Sequence, residues 1–103
     1  MNTRKYNIIF TEMAKSDLIE IYNYIFAVLE EPQIASKLMR RIEKKIFQLS
    51  EEPYKCMEIH INNKNKAYRR LVVENYVVLY RVVDEKNQII IFHIFNSRKN
   101  YLE

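Results

Sequence analysis

The stretch AYRRLVVENYVVLYRVVDEKNQIIIFHIF, residues 67–95, decides the fold of this chain. It consists almost entirely of β-branched, aromatic and aliphatic residues, which favour strands. Two short polar turns divide it into three strands, at 68–73, 76–83 and 88–95. The stretch therefore predicts an antiparallel β-meander. In its first turn, Glu74-Asn75, we expect Asn75 to adopt the positive φ.

The N-terminal half has the periodicity of one strand and two helices. The run 5–10 predicts a first strand, and Thr11 is a suitable N-cap for the helix after it. Apolar residues then recur at three- and four-residue steps, as in an amphipathic helix. They are Ala14, Leu18, Ile21, Ile25 and Leu29 in the first helix, and Ala35, Leu38, Ile42, Ile46 and Leu49 in a second helix that starts at Pro32 and ends before Pro53.

The short link between the two helices predicts a helical hairpin. The chain is thus expected to be one α+β domain over residues 1–103, in the order β-αα-βββ. The hairpin would pack on one face of a mostly antiparallel, four-stranded sheet. The polar segment 54–66 is expected to be a loop with room for a short strand.

Composition excludes several classes of function. The 103 residues include no glycine, which excludes a Gly-rich phosphate-binding loop. A single cysteine cannot form an internal disulfide and fits a reducing compartment. No apolar run approaches the ~20 residues that a membrane span requires, and the N-terminus lacks the apolar core of a signal peptide. We therefore expect a cytoplasmic protein that does not bind a membrane.

No metal site and no cofactor are expected. Cys56 has no companion at CxxC spacing, and His60 and His93 are far apart in sequence. A nucleophile pair of Cys56 with one of the histidines is an alternative, although a lone cysteine near a loop is more often a small hydrophobic residue. The carboxylates are scattered, and nothing in their spacing pairs them for acid–base catalysis.

The net charge of +4 is unevenly distributed. Residues 12–31 hold five acids and one base, so the remainder of the chain is strongly basic. The second helix carries Lys37, Arg40, Arg41, Lys44 and Lys45 against Glu43. This series is either the solvated face of an amphipathic helix or a docking face for an acidic partner.

Strand alternation decides which charges of the meander can meet. The adjacent residues Arg69 and Arg70 point to opposite faces, so they cannot serve one site by strand geometry alone. Arg81, on the next strand, is either a free cation or the partner of an acid in a flanking turn, Glu74 or Asp84.

On the last strand, alternation places His93 on the same face as Ile89, Ile91 and Phe95. Both faces of the sheet are apolar. The face away from the helices is therefore expected to be a shallow surface, covered partly by aromatic side chains and partly by a partner.

The whole chain resembles the RelE/ParE superfamily of toxins from bacterial type II toxin–antitoxin modules, which stabilise plasmids. The first helix is similar to the family's opening pattern A-x-x-D-L-x-x-I-x-x-Y, carried here by Ala14, Asp17, Leu18, Ile21 and Tyr24. The second helix at 35–49, the runs YRR at 68–70 and VVLYRV at 77–82, the strand 89–95 and Arg98 follow in the family's order.

This resemblance implies the same β-αα-βββ fold and a cognate antitoxin whose partly helical tail wraps the toxin. The residues expected to bind the antitoxin are Leu18, Ile21, Tyr22, Ile25, Arg41 and Lys45. The residues expected to bind the toxin's target are Arg69, Arg70, Arg81, Arg98 and Lys99.

Two branches of the superfamily differ in target. The ParE branch, which the strand runs resemble more closely, implies inhibition of DNA gyrase by binding, with no chemistry of its own. The RelE branch is the alternative and implies a ribosome-dependent mRNA endoribonuclease. Its catalytic set would consist of Arg70, His93, Arg98 and Tyr101. Tyr68 and Val77 stand where that branch is expected to have a lysine and an arginine.

Overall fold

The computed structural model describes residues 5–60 and 67–98. Its elements are β1 (Asn7–Phe10), α1 (Glu12–Leu29), α2 (Pro32–Gln48), β2 (Met57–Ile59), β3 (Tyr68–Val73), β4 (Tyr76–Val83), a 3₁₀ turn (Asp84–Lys86) and β5 (Gln88–Asn96). The two helices pack on one face of a mostly antiparallel sheet, which confirms the predicted α+β class. No helix in the described part of the chain is long and apolar enough to cross a bilayer.

The strands form a single sheet in the order β1-β5-β4-β3-β2. Every neighbouring pair is antiparallel except β1 with β5, which is parallel. The prediction of four strands was therefore wrong by one. The fifth strand is β2, which lies in the polar segment that was expected to be a loop with room for a short strand, and it pairs with β3. β2 has only three residues, and two of them are exposed, so no alternation of apolar and polar residues marks it in the sequence.

Each helix begins with the residue that its first turn requires. Thr11 caps α1, because its hydroxyl oxygen accepts a 3.0 Å hydrogen bond from the backbone nitrogen of Ala14. The helix ends where Glu30 turns into the left-handed region at φ 55°. Pro32 then starts α2, where the missing N–H costs nothing. The link is so short that the helices must fold back on each other.

The main core lies between the helices and the sheet. α2 contributes the fully buried residues Ala35, Ile42 and Ile46, and the sheet contributes an equally apolar surface from its three central strands. The buried residues of these strands are Leu71, Val73, Tyr76, Val78, Tyr80, Ile89, Ile91 and Ile94. Truncating a side chain such as Ile42 to alanine would cost about 2–5 kcal/mol of unfolding free energy.

A β-bulge in β5 changes which residues share a face. Tyr80 pairs with Ile91 and Leu79 pairs with His93, so Phe92 is an extra residue without a partner on β4. Alternation restarts after the bulge. As a result Ile91 faces the helices, whereas His93 stacks beside Phe95 on the opposite side. The expectation that His93 shares a face with Ile89 and Ile91 was therefore wrong.

Three turns need a left-handed residue in a chain that has no glycine. Among the described residues, positive φ occurs at Glu30, Glu74 and Asn87. The first hairpin turn thus places the strain on Glu74, and the prediction that Asn75 adopts the positive φ was wrong. A left-handed conformation costs a non-glycine residue roughly 1–2 kcal/mol.

Hydrogen bonds to Asp84 and from Tyr80 attach the residue before β1 and the segment after α2 to the sheet. The Asp84 carboxylate accepts hydrogen bonds from the hydroxyls of Tyr6, at 2.5 Å, and Tyr54. The bond to Asp84 raises the pKa of Tyr54 to about 12. The buried Tyr80 hydroxyl donates to the carbonyl oxygen of Pro53 at 2.9 Å, and burial raises the pKa of Tyr80.

We predict that Glu30→Gly stabilises the protein by about 1 kcal/mol, because glycine adopts the left-handed conformation without the steric cost that Glu30 bears. Urea unfolding followed by circular dichroism measures the change. Glu31→Gly is the matched control, because Glu31 has φ −129° and gains nothing. A Glu30→Gly variant that is no more stable than Glu31→Gly would contradict the prediction.

We also predict that unfolding free energy falls as pH rises above about 10. The folded state holds the Tyr80 proton more tightly than the unfolded chain does. The unfolded chain therefore ionises first, and the stabilisation that is complete below the unfolded pKa is lost as pH rises. Urea unfolding between pH 9 and 11.5 should show a shallower decline for Tyr80→Phe than for the native chain. Parallel declines would show that Tyr80 does not contribute.

Candidate functional site

The sheet face opposite the helices, called here the open face, carries its own small apolar cluster. Tyr68, Val77, Leu79 and Phe95 are buried there, with Phe92 packed against them. The rings of Tyr68 and Phe92 lie 5.3 Å apart at a tilted angle. No helix residue in the described part of the chain belongs to this cluster, which Ile59 of β2 also borders.

Two of the predicted target-binding residues lie on the open face. Arg70 is opposite the buried Leu79, and the Arg81 guanidinium lies 6.0 Å from the centre of the Tyr68 ring. Within the described part of the chain, neither forms an ion pair. The alternative that Arg81 pairs with Glu74 or Asp84 does not hold.

Arg69 lies on the opposite side of the sheet, as alternation predicts. Its guanidinium donates to the carbonyl oxygen of Cys56 at 2.6 Å, lies 3.7 Å from Glu58, and covers the Tyr54 ring at 4.9 Å. Only 19% of its side chain is exposed. Arg69 therefore holds β2 and the residues just before it against the sheet. The thickness of the sheet separates it from Arg70.

The remaining predicted target and catalytic residues lie near the end of the chain. Arg98 is exposed just beyond β5, and its backbone nitrogen donates to the Asn96 side-chain oxygen at 2.9 Å. Lys99 and Tyr101 lie outside the described residues. His93 lies at the edge of the open face, in one row with Leu79 and Arg70 across the three strands.

Thr11, the N-cap of α1, and Asp17 of α1 form hydrogen bonds with residues 91–94 of β5. This hydrogen-bonded clip fixes His93. The Asp17 carboxylate oxygen lies 2.5 Å from His93 Nδ1 and accepts a 2.8 Å hydrogen bond from the backbone nitrogen of Ile94. Thr11 donates its hydroxyl to the carbonyl oxygen of Phe92 and its backbone nitrogen to that of Ile91. These contacts satisfy backbone groups of β5 beyond the point where β1 ends.

The predicted antitoxin-binding residues do not share one groove. Leu18 and Tyr22 line a cavity of about 610 Å³ on the outer side, between α1 and α2. Arg41 lines a second groove, about 430 Å³, between α2 and the β3–β4 turn, where it pairs with Glu74 at 2.6 Å. Lys45 lines a separate groove of about 310 Å³, which shares Arg41 and Glu74 with the second groove. Ile21 and Ile25 are buried and contribute only to the floors of cavities.

The described residues do not bring together three or more histidine, cysteine or acidic side chains that could hold a metal ion. Cys56 is half-buried and packs against the main core. The open face presents cations beside aromatic rings, and at its edge the Asp17 carboxylate holds the His93 imidazole. Such a surface can bind phosphate or carboxylate groups of a large partner.

A family model described as "ParE toxin of type II toxin-antitoxin system, parDE" matches residues 8–101. No curated protein matches the chain in a sequence comparison.

Solved structures with the same fold come from toxin–antitoxin systems. The chromosomal ParDE system of P. aeruginosa is similar with a TM-score of 0.72 and 22% identity, over 90% of this chain and 97% of that one. The RelBE2 toxin–antitoxin complex of Mycobacterium tuberculosis has a TM-score of 0.63 and 21% identity, over 92% and 94%. The isolated E. coli RelE toxin has a TM-score of 0.60 and 15% identity, over 93% and 88%. At these identities the likeness establishes a shared fold.

We predict that Asp17→Ala lowers unfolding free energy by about 1–3 kcal/mol, because it leaves the Ile94 N–H without its acceptor. Asp17→Asn should cost less, because the amide keeps an oxygen that can accept this bond. Urea unfolding measures both. Glu20→Ala, an exposed acid on the next turn of α1, is the control and should change stability by less than about 0.5 kcal/mol. Equal stabilities for Asp17→Ala and Glu20→Ala would exclude a structural role for the clip.

Proposed function

Because this chain belongs to the ParE toxin family of type II toxin–antitoxin systems, we propose that it inhibits growth by binding DNA gyrase and that a cognate antitoxin neutralises it. The open face would contact the target, and the helical hairpin would contact the antitoxin. In this proposal the protein acts by binding and has no catalytic activity of its own.

The observation that carries the proposal is the composition of the open face. Cleavage of RNA by attack of a 2′-hydroxyl needs cations that stabilise charge on the phosphate, together with a proton shuttle. Tyr68 and Val77 stand where the RelE branch is expected to have two of these cations, and they are only 5% and 4% exposed. They build the apolar cluster of the face instead. This composition supports macromolecular binding over phosphate chemistry.

Arg70 and Arg81 supply the specific part of such a binding surface. Both are half-buried, and within the described residues neither has an anionic partner. A partly desolvated guanidinium is strongly stabilised by a carboxylate or phosphate that binds it in two places. Gyrase engaged with DNA offers both kinds of group, which supports it as a target for this surface.

We expect the antitoxin segment to be acidic and apolar where it binds the second groove, between α2 and the β3–β4 turn. That groove combines apolar walls from Ile34 and Leu38 with the cations Lys37 and Arg41, and Lys45 lies further along the same helix. A disordered acidic segment that folds on contact can satisfy both properties. A toxin–antitoxin complex, RelBE2 of Mycobacterium tuberculosis, shares this fold.

A second candidate, a ribosome-dependent mRNA endoribonuclease, is favoured by one specific observation. Arg70, Leu79 and His93 form a row across β3, β4 and β5, so a cation and an imidazole flank one residue on the open face. Asp17 holds Nδ1 of His93, and this orientation suits a general base. In this alternative, Arg98 and Tyr101 would complete the catalytic set.

A supercoiling assay tests the first candidate. Adding the purified chain to gyrase and relaxed plasmid should abolish negative supercoiling and accumulate cleaved DNA. Arg70→Glu and Arg81→Glu should each weaken inhibition by about 10-fold or more, because they place a negative charge on the contact surface. Lys37→Glu makes the same charge change on α2, away from the open face, and should retain full inhibition.

Mapping of RNA ends after induction in cells separates the two candidates. Intact messages with inhibited gyrase support the proposal. Cleaved messages that become intact with Arg70→Ala or His93→Ala would assign the endoribonuclease activity instead. Active gyrase in the presence of excess protein would overturn the gyrase proposal.

A further inference from the structure

The outer side of the helical hairpin exposes large apolar side chains. Ile19 is 62% exposed and Phe47 is 53% exposed, and the stacked rings of Tyr22 and Phe26 border the same side. The cavity of about 610 Å³ opens on this surface between the two helices. Apolar side chains gathered around an open groove mark a surface that another protein covers.

One stripe of α2 runs along this groove and continues beyond it to Phe47. Ser36, Arg40, Glu43 and Phe47 follow one another at steps of four, three and four, so they share one side of the helix. The order is small, cation, anion, large. Within the described part of the chain, Arg40 and Glu43 form no ion pair with each other or with another residue.

A two-fold axis that crosses α2 between Arg40 and Glu43 makes this stripe complementary to itself. An antiparallel second copy of α2 would place its Glu43 opposite Arg40, and its Arg40 opposite Glu43. In the same register its Phe47 lies opposite Ser36, whose small side chain borders the groove. Charge and size are thus matched at every position of the stripe by a single register.

We propose that two copies of this chain associate through the outer side of the helical hairpin, with their α2 helices antiparallel. Phe47 of each copy enters the groove beside Ser36 of the other, and two Arg40–Glu43 pairs flank the axis. Ile19 and Phe26 are covered at the border of this contact. The inference does not depend on the toxin's target.

A second copy fits this surface better than a partner of one charge sign. The stripe carries one cation and one anion, so a uniformly acidic or basic segment would leave one of them facing a like charge. In contrast, the second groove and its neighbour along α2 carry several cations, of which only Arg41 forms a described ion pair. In this proposal the acidic partner binds the second groove, which self-association leaves open. Leu18 and Tyr22, which the family resemblance assigns to the antitoxin, then line the self-association surface instead.

Sedimentation equilibrium of the purified chain over about 1–500 µM tests the proposal. The mass should rise from 12.6 kDa to twice that value with concentration. Arg40→Glu and Glu43→Arg should each weaken association by about 10-fold or more, because each places two like charges across the axis. The double variant R40E/E43R should restore it, and so should an equimolar mixture of the two single variants.

Lys37→Glu is the matched control, since it makes the charge change of Arg40→Glu on the same helix but outside the stripe. It should associate like the native chain. Circular dichroism confirms that each variant is folded. A native chain that remains at 12.6 kDa throughout overturns the proposal. If the native chain dimerises but the single charge changes leave the dimer intact, this interface is overturned. The same conclusion follows if R40E/E43R fails to restore association.

Discussion

The attachment of α1 to the edge of β5 is the constraint on which the rest of the structure depends. β1 pairs with β5 only as far as Phe10 and Ile91, and the following residues of β5 would otherwise present unpaired backbone groups. Thr11 and Asp17 satisfy these groups from the first turns of the helix. The contact fixes where the helical hairpin lies on the sheet, and with it the positions of both hairpin grooves. It also fixes the imidazole at the edge of the open face.

The order and type of the long elements could be predicted because periodicity records them directly. The meander showed strand residues cut by polar turns, and both helices showed apolar steps of three and four. The bulge at Phe92 left no such record, since one extra apolar residue in an apolar strand does not disturb the pattern. β2 is too short for any period, and Glu74 adopts a conformation that its residue type disfavours.

The site was predictable only in part for the same reason. Alternation correctly separated Arg69 from Arg70 and placed Arg81 on the face of Leu79, because β3 and β4 are regular. The clip between Asp17 and β5 joins residues that are distant in sequence, which periodicity cannot reveal. Its one sequence signal is the position of Asp17, an acid directly beside the apolar series of α1. A carboxylate suits this position because β5 extends beyond the end of β1, where its backbone N–H groups need an acceptor.

The parallel pairing of β1 with β5 has a consequence for how the chain reaches its native state. The Thr11–Phe92 hydrogen bond spans 81 positions, and the Tyr6–Asp84 bond spans 78. β3, β4 and β5, joined by short turns, can form a local nucleus early, whereas β1 and α1 dock only after a large loop has closed. Until that step, the part of the meander that α1 and β1 cover in the native state faces water. The interval before docking is therefore when the chain is most exposed to aggregation, and any ligand that binds only the closed form must wait for it.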